Sequence, residues 1–197
     1  MEIDTAPLRE NIISMWMHRK RVKPENLWIG VTGVFTSDRM PFIRTVSDIP
    51  VKDCNRPMRG QPSKPFSVGQ IAIDQDMTLN FYSNPDNSDP NGIFYIDEPG
   101  MIGAVIMVDS TDPETFHQVR NLLKTIHVYR QETFPYVIVL NKQNFPGAWS
   151  IHDVRHALSA SDDEVFIPCN AIDRASVKHV LLTLLGQLLD CADAAEA

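Results

Sequence analysis

Apolar positions along the chain fall into two regimes that meet near Gly100. Beyond it, runs of strand length alternate with helical stripes. Met101–Val108 is a continuous apolar run. Asp112-Pro113 then supplies an N-cap and a first helical position for a helix whose Phe116, Val119, Leu123 and Ile126 share one face. Tyr136–Leu140 is the next apolar run, and Ser150 with Asp153 resembles a capping box opening a helix with Ile151, Val154 and Leu158 inward. Glu164–Pro168 reads as a last short strand. Asp173 caps a closing helix through Val177, Val180, Leu181, Leu184 and Leu188.

Before Gly100 the rhythm is different. Leu27–Val31 is an apolar run closed by the turn-prone Thr32-Gly33. Eight prolines lie from Pro41 to Pro99, and the pattern predicts no long amphipathic helix there beyond a short piece after Pro41. Gln70–Asp74 and Met77–Ser83 read as a hairpin turning at Gln75-Asp76. The expected architecture is therefore three-layer α/β, a mainly parallel six-stranded sheet with helices on both faces. Residues 8–21, with Leu8, Ile12, Met15 and Trp16 on one stripe, add a helix that stops before Pro24. The expected division is an N-terminal extension helix over 1–24, one α/β domain over 25–191 and a disordered tail over 192–197. The extension either packs on its own domain or serves a partner or a second copy, since methionine and tryptophan suit adaptable interfaces. The pattern leaves the oligomeric state open.

Composition narrows the function classes. The 197 residues, 43% hydrophobic and 22% charged, suffice for one substantial core. A formal charge of −7 and a pI near 5.3 exclude a nucleic-acid surface, which needs clustered positive charge; only His18-Arg19-Lys20-Arg21 is concentrated base. Cys54, Cys169 and Cys191 form no CxxC pair and are odd in number, which suits the reducing cytoplasm. The first residues lack the basic-then-apolar order of a signal peptide, and no apolar stretch reaches the ~20 residues that span a bilayer, so no transmembrane segment is expected. His152 and His156 stand four apart but have no acid or cysteine partner in the pattern, and no metal site is expected.

In a sheet of this kind ligands bind beyond the carboxyl ends of the strands. After the first strand stands Gly33-Val34-Phe35-Thr36-Ser37-Asp38-Arg39-Met40, with the length and placement of the phosphate loop GxxxxGK[ST]. Ser83-Asn84-Pro85-Asp86-Asn87 occupies the place of a DxxG-plus-Gln segment. Asn141-Lys142-Gln143-Asn144 is one residue from NKxD, and Cys169-Asn170-Ala171 falls where a short motif closes over guanine. These four strand ends, in this order, resemble a small Ras-like GTPase across about residues 27–190. They resemble in particular the bacterial subfamily near the gliding-motility GTPases and those of actinobacterial conserved operons. Its frame Thr-Gly-x-Phe-x-x-Gly-Lys-Thr-Thr-Phe-Ile-Arg is matched without a gap by Thr32-Gly33, Phe35 and Phe42-Ile43-Arg44. Further agreement comes from Gly69, Pro85, Gly103-Ala104-Val105, Val108-Asp109, Asn141, Ser150, Val154-Arg155 and Pro168-Cys169.

The departures fall on the residues to which the resemblance assigns chemistry. Asp38 stands for a glycine that lets backbone approach phosphate, Arg39 for the phosphate lysine, and Met40 for the hydroxyl that binds Mg²⁺. Ser83 replaces the aspartate supporting Mg²⁺, Asp86 the glycine facing the γ-phosphate, and Asn87 the glutamine that orients water. Asn144 replaces the aspartate that would accept two N–H bonds from guanine. The resemblance thus implies a degenerate nucleotide site over Gly33, Asp38, Arg39, Met40, Ser83, Asp86, Asn141, Lys142, Asn144, Cys169, Asn170 and Ala171, with no catalytic residue. The bland alternatives are a ligand-free strand-to-helix turn at 33–40, a loop brace at 141–144 and a merely small buried Cys169. The expected function is a non-catalytic pseudo-GTPase acting as a protein-interaction, signalling or assembly module without a cofactor. Its implied partner is a roadblock- or longin-type dimer. The alternatives are a protein that binds GTP or GDP weakly without a strong Mg²⁺ site, and a regulator competing with an active paralogue. The four prolines of Asp48–Pro65 suggest a stiffened or extended loop that binds a partner constitutively.

Overall fold

The apolar run at Leu27 forms the middle strand of one sheet. In the computed structural model, which describes residues 26–56, 64–73, 77–83, 100–129 and 134–194, β1 is Asn26–Gly33. It pairs in parallel with β4 (Thr78–Ser83) on one side and β5 (Met101–Asp109) on the other. Beyond β5 lie β6 (Tyr136–Asn141) and β7 (Phe166–Pro168), both parallel. Beyond β4 lies β3 (Lys64–Ala72), antiparallel to it, and at the edge β2 (Lys52–Arg56), antiparallel to β3. The order is β2-β3-β4-β1-β5-β6-β7.

The α/β class is as expected, but among the described residues the sheet has seven strands, not six, and is mixed, with β2–β3 and β3–β4 paired antiparallel and the other pairings parallel. The extra strand comes from the proline-rich stretch. Its sequence, Lys-Asp-Cys-Asn-Arg, carries no apolar alternation, so only pairing with β3 makes it a strand. Pro65 stands opposite Asn55 of β2, near the start of β3 and before the ladder with β4 begins at Ser67, where a proline interrupts pairing on one side at most. The hairpin of β3 and β4 is present, closed by Ile73 N–H donating to the Met77 carbonyl at 2.9 Å, although β3 starts earlier than expected. Its turn residues Gln75 and Asp76 lie outside the described residues, as does the 1–24 extension.

The first helix, α1 (Thr36–Val46), also departs from expectation by running through Pro41 rather than starting after it. Proline removes one ladder bond and crowds the preceding turn, a cost of ~3 kcal/mol in a helix interior. Phe42, Ile43 and Val46, fully buried on the sheet, offset it. A 3-10 turn, Pro113–Thr115, is capped by the Asp112 side chain and leads into α2 (Phe116–Tyr129). Ser150 caps α3 (Ile151–Leu158), accepting from the Asp153 N–H. The closing helix α4 runs Arg174–Ala194, three residues into the expected tail.

Strand alternation assigns the layers. Leu27, Ile29 and Val31 face the cluster made with α1 and α4, while Ile106, Val108, Ile138 and Leu140 face α2 and α3. Trp28 points to the second face, where Phe66, Val68 and Tyr82 form a small aromatic cluster. Gly69 lets α1 sit close on β3, since a Cβ there would come 2.6 Å from Ile43 Cγ2. Among the described residues no helix is long and apolar enough to cross a membrane.

Candidate functional site

The loops after β1, β5, β6 and β7 converge at the carboxyl end of the sheet, and their side chains bond to one another. Gly33 ends β1 with φ +151°, a conformation that favours glycine, and a Cβ there would meet the Met107 carbonyl oxygen at 2.5 Å. This close passage onto β5 turns the chain into α1. Asp38, in the first turn of α1, is thereby carried inward to 2% exposure.

One oxygen of its carboxylate is held by two donors of this chain. Asn141 Nδ2 donates to Asp38 Oδ1 at 2.9 Å, and the Lys142 ammonium stands 3.4 Å from the same oxygen. Lys142 also pairs with Asp109 Oδ2. Asp109 Oδ1 accepts from the Thr111 N–H at 2.9 Å and from its hydroxyl at 2.7 Å. The other end of Asn141 accepts the Ala171 N–H at 3.1 Å. A single ammonium thus serves two buried carboxylates, and one amide ties α1, β6 and the loop after β7 together. Lys142 holds this position at φ 62°, left-handed backbone that costs a non-glycine residue ~1 kcal/mol.

Electrostatics follow from that geometry. Burial alone would raise the Asp109 carboxyl, but its hydrogen bonds to Lys142 and Thr111 prevail and hold it below the ordinary value of 3.8. Burial would likewise lower Lys142, yet its hydrogen bond to Asp109 and the charges of Asp38 and Asp109 raise it above 10.5. Arg39 is buried beside them; desolvation pulls its pKa down and the charge of Asp38 partly restores it.

The remaining expected residues divide. Met40 lines a separate crevice of about 550 Å³ with Arg44, Ser47, Ile49, Pro50, Val51 and Asp53, between α1 and the β2 side of the sheet. Ser83, at the end of β4, is buried, its hydroxyl lacking a hydrogen-bond partner among the described residues. Asp86 and Asn87 lie outside the described residues. Asn144 is exposed on the turn after β6, away from the bonds of this network. Cys169 is buried, its N–H on the Leu140 carbonyl at 2.8 Å, and burial raises its thiol pKa. Asn170 braces its own loop, accepting from Ile172 N–H at 3.3 Å and donating its N–H to Ser176 Oγ at 3.0 Å. The sequence pattern assigned no role to Asp109 or Thr111. The available signal was an acid closing a wholly apolar strand, where an unpaired charge would be costly.

Among the described residues no cluster of three histidine, cysteine or acidic side chains gathers to hold a metal. No protein-family model matches the chain, and no curated protein matches it.

Proposed function

We propose that this chain is a non-catalytic pseudo-GTPase, a Ras-like module that docks a protein partner and carries no nucleotide. The observation that supports it most strongly is the buried Asp38 carboxylate, already bonded to Asn141 and paired with Lys142. In the resemblance those two residues would serve the nucleotide. Here their donors are consumed internally, so the chain's own acid takes the part of the ligand anion.

The residues present do not fit Mg-GTP. Another anion at ~5 Å from Asp38, in an effective dielectric of ~20, is opposed by roughly 3 kcal/mol per charge, and a triphosphate brings several. Met40 borders the α1 crevice and is a thioether, a poor ligand for so hard a cation. Freeing Lys142 for a ligand would also strand two buried carboxylates. The partner that the resemblance implies is a roadblock- or longin-type dimer.

Calorimetric titration of the full chain with GTP, GDP and ATP, with and without Mg²⁺, tests this. The expected result is no binding at millimolar nucleotide. Micromolar affinity for any of them overturns it in favour of a divergent nucleotide-binding protein.

A further inference from the structure

Among the described residues the exposed large apolar side chains are Phe145 at 54%, Trp149 at 39% and Ile172 at 74%. Single exposed apolar residues are ordinary on any surface. These three fall on two neighbouring loops, those after β6 and β7, at one end of the sheet. The loops are pinned rather than loose. Phe145 N–H donates to the Lys142 carbonyl at 2.9 Å, Gln143 Nε2 to the Trp149 carbonyl at 2.9 Å, and the Ala171 N–H to Asn141 Oδ1 joins one loop to the other. Trp149 rests edge-on against buried Phe116, ring centroids 5.5 Å apart, leaving its remaining surface outward. Apolar groups held in place before binding lose little entropy on binding, and a half-anchored tryptophan is a common energetic centre of interfaces.

The charge bordering these loops is mainly negative, against Arg174 at the first position of α4. Asp112, Glu114, Asp153 and Asp173 stand at the starts of the 3-10 turn, α3 and α4 at this same end. The charge of Lys142 is already taken by Asp38 and Asp109. We infer that the β6–β7 loop surface docks a protein face with an apolar centre bordered by lysine and arginine. This rests on the reading of the chain as a docking module, and it names the surface and the chemistry of the partner. Self-association through the patch is disfavoured by the same carboxylates, which would face their own copies.

The probe is a synthetic amphipathic helix with leucines on one face and lysines on its flanks, titrated calorimetrically into the full chain and followed by amide chemical shifts. Its control is the same peptide with glutamate flanks. Expected are binding of the lysine peptide alone, shifts centred on residues 143–149 and 171–173, and at least a ~10-fold loss in Phe145→Ser/Ile172→Ser, whose exposed sites leave the fold intact by circular dichroism. Shifts centred elsewhere, equal binding by the double variant, or binding of both peptides overturns the proposal. So does a concentration-dependent dimer in sedimentation that the double variant abolishes, which assigns the patch to a second copy. A Mg-GTP titration on the same sample separates the two levels. Nucleotide binding sinks the docking-module reading, whereas peptide failure without nucleotide binding sinks only this surface.

Discussion

Lys142→Met removes the ammonium that two buried carboxylates share. Side-chain exposure is 3% for Asp38, 6% for Asp109 and 32% for Lys142, so the acids are interior while the cation is about two-thirds covered. Stripping one partner from a fully buried pair costs about 3–5 kcal/mol, and an exposed pair is worth about 0–1. The intermediate burial of Lys142 puts the expected loss at about 2–3 kcal/mol, because Asn141 and Thr111 still solvate the carboxylates. The assay is urea denaturation at neutral pH, read as a lower midpoint with an unchanged slope. Asp38→Asn should be far milder, about 1 kcal/mol or less, and should rescue part of the Lys142→Met loss, giving a non-additive double-mutant cycle. Lys142→Gly loses the same charge yet relieves the φ of 62°, so it should be about 1 kcal/mol less destabilised than Lys142→Met. A loss under ~0.5 kcal/mol for Lys142→Met, or strict additivity with Asp38→Asn, would refute the claim that this network holds the loops together.

Acid should close the gap between wild type and Lys142→Met. The folded Asp109 pKa is depressed, so its contribution is present above 3.8 and is lost as pH falls below it, a loss that wild type suffers more than the variant; parallel melts at decreasing pH check this. Gly33→Ala, whose methyl meets the Met107 carbonyl at 2.5 Å, should cost about 3 kcal/mol in thermal or urea unfolding, and a neutral result would contradict the close passage of β1 over β5. Tyr136→Phe removes the hydroxyl that donates to buried Glu164 at 2.8 Å and should cost about 1–2 kcal/mol, while Ser161 N–H, 2.7 Å from the other oxygen, keeps the fold intact.

Periodic burial made the second half of the fold readable. Val105, Val108, Val137 and Leu140 lie on strands covered from both sides, and such strands must be apolar throughout; α2 and α3 announce themselves by their caps, Asp112 and Ser150. The first half was less legible because its signals conflict. Pro41 suggests a helix boundary where α1 continues, and β2 has no apolar alternation because it is an edge strand defined by its ladder to β3. At the site, Asp38 beyond the first strand was visible in the chain, and so were Asn141 and Lys142 at the end of β6.

What local order could not express was where that acid would go. An aspartate in the first turn of a helix is ordinarily a solvated partner of the helix dipole, and by sequence alone Asp38 could have pointed to water. Sequence determined the α/β class, the order of the elements after Gly100 and the identity of the residues at each strand end, because those depend on burial period and capping within a few residues. The tertiary structure alone decided that Asp38, Asp109, Asn141 and Lys142, with Asp38 and Asn141 103 positions apart, meet in one buried network. That meeting depends on parallel strands bringing their carboxyl ends side by side, and a buried carboxylate must then take whatever donors its neighbours offer.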